Sequence, residues 1–120
     1  MTFDPQVERR LQTERNLWLA TVRPTGTPHL VPIWFEWVAG KIYFCTGADS
    51  VKVRNLKQNP HVAIALEDGS QPIVIEGLAQ PIERPPAAVV DEFQRKYDWN
   101  INTDGDYDQV IEIEPTKTRS

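Results

Sequence analysis

The sequence predicts a small, mainly β protein: an antiparallel barrel of about six strands with helices over its ends or seams. Short runs rich in β-branched and aromatic residues recur along the chain, and proline and glycine separate them. These runs follow one another as hairpins and do not alternate with helices as β-α-β units. The 120 residues, of which 40% are apolar and 25% charged, fit a single domain over residues 1–120 with a modest core.

The first half of the chain is predicted to form one helix and three strands. Pro5 suits a first helical turn, and Val7 and Leu11 repeat at the spacing of one helix face, which predicts a helix over residues 4–15. Ala39 and Gly40 are expected to form a tight hairpin turn. The three strands are expected at Leu17–Val22, His29–Val38 and Lys41–Thr46.

The second half begins with a helix that ends near Asn59, and either Asp49 or Ser50 can be its N-cap. Pro60 ends this helix. The later elements are expected to be strands at His61–Glu67, Ile73–Ala79 and Val110–Glu114, with a helix from Pro85 to Tyr97 between the last two. Residues 100–106 are predicted to be a loop, and residues 115–120 a frayed tail.

Composition excludes several classes of function. A net charge of −4 argues against a general nucleic-acid binder, and no apolar run is long enough to cross a bilayer, so neither a nucleic acid nor a membrane is expected as a partner. The single cysteine, Cys45, cannot form an internal disulfide, which favours a cytoplasmic protein. The sequence lacks phosphate-binding glycine loops, a nucleophile elbow and paired metal-ligand motifs, so no metal site is expected.

Residues 46–56 carry the chemistry. With Ser50 as N-cap, Lys52 lies in a first helical turn, where the free N–H groups are partly positive and a lysine is unfavourable unless an anion lies nearby. Lys52, the Ser50 hydroxyl and these N–H groups would together hold a phosphate, and Arg54 could add a second positive group. The alternative is a helix whose basic residues face water. Asp49 as N-cap would compete for the same N–H groups and weaken the phosphate hypothesis.

Several segments follow one another in a characteristic order and spacing: Leu17–Val22, Gly26–Phe35, Ile42–Thr46, Ser50–Leu56, Asn59–Val62, Glu76–Ala79 and Ile111–Pro115. The most specific are Gly-Thr-Pro-His at 26–29 and Ser-Val-Lys-Val-Arg-Asn-Leu at 50–56. Together they resemble the pyridoxamine 5'-phosphate oxidase-like split-barrel family over roughly residues 10–115.

The resemblance implies a six-stranded antiparallel split barrel that is a homodimer and binds FMN or the deazaflavin coenzyme F-420 in clefts at the dimer interface. It implies an oxidoreductase acting on a small organic substrate; a non-catalytic flavin- or haem-binding protein is the alternative. Ser50 and Lys52 would hold the cofactor phosphate, with Arg54, Asn55 and Thr46 nearby. The strand beside the ring system would contribute His29, Val31, Pro32, Ile33 and Trp34.

Departures from the family pattern argue against oxidation of pyridoxamine phosphate itself. The oxidase has further basic residues on its second strand where this chain has His29 and Trp34, and it has a C-terminal extension that this sequence lacks after Ser120. No catalytic acid or base is identified, because in such proteins the cofactor carries the chemistry.

The tryptophans are assigned by position. Trp34 and Trp37, three residues apart, face opposite sides of a regular strand, so one of them is expected to pack inward. Trp18 is expected in the core. Trp99 is either a lid on the core or a cap over a cleft, and the first is favoured.

Overall fold

In the computed structural model, which describes residues 2–119, one antiparallel sheet curls into a half-barrel, as predicted, but it has seven strands and not six. The strands are β1 (Asn16–Val22), β2 (Pro28–Trp34), β3 (Glu36–Val38), β4 (Lys41–Thr46), β5 (His61–Leu66), β6 (Val74–Ile82) and β7 (Gln109–Arg119). The helices are α1 (Pro5–Thr13), α2 (Val51–Gln58) and α3 (Ala87–Tyr97), with a short 3₁₀ helix at Ile101–Thr103. The order across the sheet is β2-β1-β5-β6-β7-β4-β3, so β2 and β3 are its edges.

Local sequence signals explain where the helices begin and how the tight hairpin turns. Asp4 caps α1 by accepting from the N–H of Gln6. Ser50, not Asp49, is the N-cap of α2: its side chain accepts from the N–H of Val53. The hairpin between β3 and β4 turns through Ala39 and Gly40, which both have positive φ, as the tight two-residue turn requires.

The predicted strand over residues 29–38 is divided in two, and this accounts for a seventh strand. Phe35, at the break, bonds across the fold to Tyr97: its N–H donates to the Tyr97 hydroxyl at 3.0 Å, and that hydroxyl also lies 2.7 Å from the Phe35 carbonyl. Lys96 Nζ donates to the same carbonyl at 3.1 Å. Backbone groups that bond to side chains of α3 do not continue the strand ladder, so β2 ends at Trp34.

The prediction of a frayed tail at residues 115–120 was wrong as far as Arg119, and Ser120 lies outside the described residues. β7 continues to Arg119 because β6 begins early enough to pair with it, from Val74 opposite Arg119. The pairing contains an irregularity between Glu76 and Gly77. A Cβ added at Gly77 would lie 2.7 Å from the Glu114 carbonyl oxygen, so only glycine fits this close approach.

Buried side chains form two clusters. The barrel core lies inside the half-barrel and includes the fully buried Leu17, Leu19, Phe35 and Phe44. The second, here called the α3 cluster, lies under α3. It contains Tyr43, Cys45, Val89, Phe93, Tyr97, Ile101 and Val110, with Trp99 packed against it.

The outer side of β1 and β2 is apolar yet exposed. Leu30 and Trp34 are 60% and 46% exposed, and Pro32 is also exposed. Trp18 pairs with Pro32 across the two strands and is 41% exposed, so the expectation that it lies in the core was wrong. Leu17 and Leu19 take the inward positions on β1, which forces Trp18 outward. These four exposed residues are here called the outer apolar face.

No helix among the described residues is long and apolar enough to cross a membrane.

Candidate functional site

An open cleft of about 700 Å³ lies where β2, the end of β4, the first turn of α2 and the chain after α3 come together. Its size is that of a site for a small organic molecule. It is lined by Asn16, Pro32, Ile33, Trp34, Cys45, Thr46, Lys52, Tyr97, Asp98, Trp99, Asp104 and Tyr107. The basic side chain, Lys52, comes from α2, and the acidic ones, Asp98 and Asp104, come from the segment after α3. The two groups are here called the basic end and the acidic end of the cleft.

The basic end is built on the first turn of α2. Thr46 is buried, and its hydroxyl donates to Ser50 Oγ at 3.2 Å, while Ser50 Oγ accepts from the N–H of Val53 at 3.3 Å. Because Ser50 Oγ accepts both of these bonds, its own hydroxyl proton is free to be donated toward a ligand. The remaining N–H groups of a helix start are partly positive and favour an anion.

Lys52 is the cation at this end. Its side chain is half-buried, burial lowers its pKa, and among the described residues no carboxylate forms an ion pair with it. A partly desolvated ammonium without a counter-ion at a helix N-terminus is unfavourable by itself. The end of the cleft that Lys52 lines is therefore electropositive.

His29 lies on β2 near the same cations. Burial lowers its pKa, and the positive charges of Arg23 and Lys52 lower it further. Its Nδ1 is buried without a hydrogen-bond partner among the described residues. A neutral imidazole with an unpaired ring nitrogen can respond to a nearby anion by taking up a proton.

The structure brings five of the ten predicted site residues together on the cleft wall: Pro32, Ile33, Trp34, Thr46 and Lys52. Ser50 adjoins them through its bond to Thr46. His29, Val31, Arg54 and Asn55 do not line the cleft. Val31 packs against the barrel core, and Arg54 is exposed on α2. Asn55 is buried and donates to Thr21 Oγ1 at 3.0 Å, so it holds α2 against β1.

The acidic end was missed from the sequence, apart from the open alternative for Trp99. It is formed by Tyr97, Asp98, Trp99, Asp104 and Tyr107, which lie along the segment from the end of α3 to the start of β7. A signal was present, since two aromatic residues bracket a polar loop that joins a helix to a strand. Trp99 satisfies both alternatives, because it packs against the α3 cluster and also lines the cleft.

Trp34 joins the two ends of the cleft. Its ring is stacked on Tyr97 at 4.6 Å with an angle of 10° between the planes. The Tyr97 hydroxyl lies 2.7 Å from the backbone carbonyl oxygens of both Arg15 and Phe35, which share its one proton, and burial raises its pKa. Trp34 is therefore held by a tyrosine that is itself anchored to the backbone of two other segments. As expected for this pair of tryptophans, Trp37 packs inward and is 8% exposed.

Cys45 is a small buried residue on the cleft wall. Burial raises its pKa to about 12, and the negative charge of Asp104 adds to the effect. A thiol in this state is a poor nucleophile at neutral pH, since the thiolate is the reactive form.

A family model described as pyridoxamine 5'-phosphate oxidase matches residues 3–120. An F420 reductase of known structure is 28% identical and covers 93% of this chain and 94% of its own, with a TM-score of 0.76. A conserved hypothetical protein from Mycobacterium tuberculosis is also 28% identical, covering 99% of this chain and 84% of its own with a TM-score of 0.80. The haem storage protein HutZ from Vibrio cholerae is 20% identical over 99% and 94%, with a TM-score of 0.79, and shares the fold. No curated protein matches the sequence.

Proposed function

This chain belongs to the pyridoxamine 5'-phosphate oxidase family, and on that premise we propose that it binds a flavin, FMN or F-420, in the cleft and acts as an oxidoreductase on a small organic substrate other than pyridoxamine phosphate. The observation that carries the proposal is Lys52, half-buried and without an ion-pair partner among the described residues, at the start of α2. A phosphate is the ligand group that both the lysine and the helix start favour. The likeness to an F420 reductase at 28% identity supports a deazaflavin as one of the two cofactors.

The residues at the basic end fit a phosphate. Lys52 supplies a charge-assisted donor, the free hydroxyl proton of Ser50 a second donor, and the N–H groups of α2 further ones. β2 is an edge strand, so the backbone groups on its open side have no ladder neighbour and are available to the polar edge of a ring system. When bound, a flavin would supply the hydride chemistry, and these residues would bind it, orient it and exclude water.

A homodimer is the second part of the proposal. The outer apolar face is too exposed and too apolar to be an ordinary surface, and Trp34 belongs both to it and to the cleft wall. A second copy packed on this face would cover it and close the cleft from outside. Light scattering at micromolar concentration should therefore give the mass of a dimer. Replacing Leu30 by glutamate should shift the protein toward the monomer, whereas a clean monomer mass for the wild type would refute this part of the proposal.

Titration with FMN, F-420 and riboflavin tests the phosphate contact. A charge-assisted bond is worth roughly 1.5–3 kcal/mol, so Lys52→Ala should weaken binding of the phosphate-bearing cofactor by about ten- to a hundredfold. Riboflavin, which lacks the phosphate, should bind wild type and variant almost equally. Lys57→Ala is the matched control, because it removes the same charge from the exposed last turn of α2. Equal losses for FMN and riboflavin would show that Lys52 does not contact the phosphate.

Turnover and the choice of cofactor need separate measurements. The absorbance spectrum of the protein as isolated, followed by mass spectrometry of the released ligand, distinguishes FMN, F-420 and haem. Rapid anaerobic reduction of bound flavin by a reduced nicotinamide would support an enzyme. A flavin that binds but is not reduced would support the alternative of a non-catalytic binding protein.

A further inference from the structure

Three aromatic rings form a rigid corner at the acidic end of the cleft. Trp99 lies close to Trp34 (centroids 6.0 Å apart, planes at 74°) and to Tyr107 (5.4 Å, 85°). The position of Trp99 is further fixed by Phe93 at 5.5 Å and by its indole N–H, which donates to Asp104 Oδ2 at 3.0 Å. These three rings, Trp34, Trp99 and Tyr107, are here called the aromatic corner. Trp34 and Tyr107 both stand steeply to the plane of Trp99, and all three rings line the cleft.

Negative charge surrounds this corner. Asp98 and Asp104 line the same part of the cleft. The side chain of Asp98 accepts from Gln94, and that of Asp104 accepts from the N–H of Asp106 as well as from Trp99. Neither carboxylate forms an ion pair among the described residues, so their charges are not neutralised within the part of the chain that the structure describes.

Trp34, one ring of the aromatic corner, and the adjoining Tyr97 already attract a cation from within the chain. The guanidinium of Arg15 lies 4.7 Å from the centroid of Tyr97 and 5.8 Å from that of Trp34. No such contact with a basic side chain is found for Trp99 or Tyr107 within the described residues. Tyr107 is 47% exposed, so its ring remains accessible. The ring of Tyr107 and the part of Trp99 that lines the cleft are therefore open to a cation that comes from outside.

We infer that the aromatic corner, with Asp98 and Asp104 beside it, binds an organic cation such as an alkylated ammonium or an N-alkylated heteroaromatic ring. Aromatic faces set at an angle to one another attract such cations through their quadrupoles, and carboxylates add Coulomb attraction. The same carboxylates repel an anionic phosphate, which makes this end unsuitable for the phosphate of a cofactor. The cleft would thus accept an anion beside Lys52 and a cation beside Trp99. The claim that this cation is the substrate rests on the proposed function, whereas the claim that the corner binds a cation does not.

Paired probes of similar shape and different charge test the inference, and the second pair below is isosteric. One pair is the cation 1-methylnicotinamide and neutral nicotinamide; the other is choline and its neutral analogue 3,3-dimethyl-1-butanol. Each is titrated by calorimetry into the protein with and without saturating FMN. The cation of each pair should bind about five- to tenfold more tightly than its neutral partner, as expected for a partly desolvated cation–aromatic contact. If the cation is preferred in only one of the two pairs, the result shows whether the corner favours a planar or a tetrahedral cation.

Variants at Tyr107 and Asp98 show whether the corner is responsible. Tyr107→Leu should abolish most of the preference for the cation, and Tyr107→Phe, which keeps the ring, should retain it. Asp98→Asn should weaken binding of the cation a few-fold and leave the neutral probe unchanged. Asparagine tolerates the left-handed backbone at this position (φ 52°) and can still accept from Gln94, so the fold should survive.

The outcomes separate this inference from the proposed function. Equal binding of cation and neutral probe, no binding of either, or a preference that survives Tyr107→Leu would overturn the inference. If the same preparations bind FMN and Lys52→Ala weakens that binding, the proposed function stands even though the inference has been overturned. Conversely, a cation preference in a protein that binds neither FMN nor F-420 would leave the cation site standing and refute the cofactor proposal.

Discussion

The barrel core and the α3 cluster contain side chains of similar size, but their polar atoms differ. The barrel core is built almost entirely from side chains without polar groups. In the α3 cluster, Tyr43, Tyr97 and Trp99 each direct a polar atom to a partner at the edge of the cluster: Glu112, the backbone of two segments, and Asp104. The barrel core therefore holds the sheet together and packs α1 and α2 against it, whereas the α3 cluster packs α3 and supplies Cys45 and Tyr97 to the wall of the cleft.

Two buried phenylalanines allow the clusters to be compared directly. Phe44 in the barrel core and Phe93 in the α3 cluster are both fully buried. Truncation of either to alanine should lower the free energy of unfolding by about 3–5 kcal/mol, measured by urea denaturation. Only Phe93→Ala should also weaken binding of the cationic probe, because the Phe93 ring supports Trp99 at a centroid distance of 5.5 Å. Equal effects of the two substitutions on ligand affinity in the folded protein would contradict the division between the clusters.

Trp99 is the residue at which packing and binding meet, so it should show an intermediate loss of stability. Its ring is partly buried, and Trp99→Ala should lower the free energy of unfolding by about 2–3 kcal/mol, less than a fully buried aromatic residue would. The same variant should lose the preference for the cationic probe. Trp99→Phe, which keeps an aromatic ring, should recover part of both. A stability loss with unchanged probe binding would make Trp99 a packing residue alone.

The same contrast explains what the sequence could predict. The inward positions of β5 follow from alternation, and the start of α2 follows from its candidate N-caps Asp49 and Ser50, so part of the barrel core and the basic end were foreseeable. The break at Phe35 depends on the Tyr97 hydroxyl, 62 residues away, and no local pattern indicates it. Residues 17–20 of β1 are all apolar, so composition alone could not decide which side of β1 faces the core. The acidic end combines residues from a loop whose path only the folded chain defines.

Glu36 lies at the boundary between the two clusters. It is on β3, 1% exposed, and its Oε1 has no hydrogen-bond partner among the described residues. Lys96, Glu92 and Arg95 of α3 face it. Burial raises its pKa to about 7, and the negative charge of Glu92 adds to this, while Lys96 and Arg95 oppose it. Burial also lowers the pKa of Lys96, to about 8, so Glu36 and Lys96 titrate as an interacting pair over neighbouring pH values.

The smallest expected effect is the pH dependence that Glu36 adds to stability. The folded protein keeps the proton on this carboxyl up to about pH 7, whereas the unfolded chain releases it near pH 4.5. Between these values the folded state binds more protons, so the stability contributed by Glu36 is present at low pH and is lost as the pH rises through 7. From pH 5 to pH 7.5, urea unfolding of the wild type should lose about 1–2 kcal/mol more than that of Glu36→Gln, which cannot titrate. Parallel pH profiles of the two proteins would mean that the carboxyl is already ionised within the fold and that the boundary between the clusters tolerates the charge.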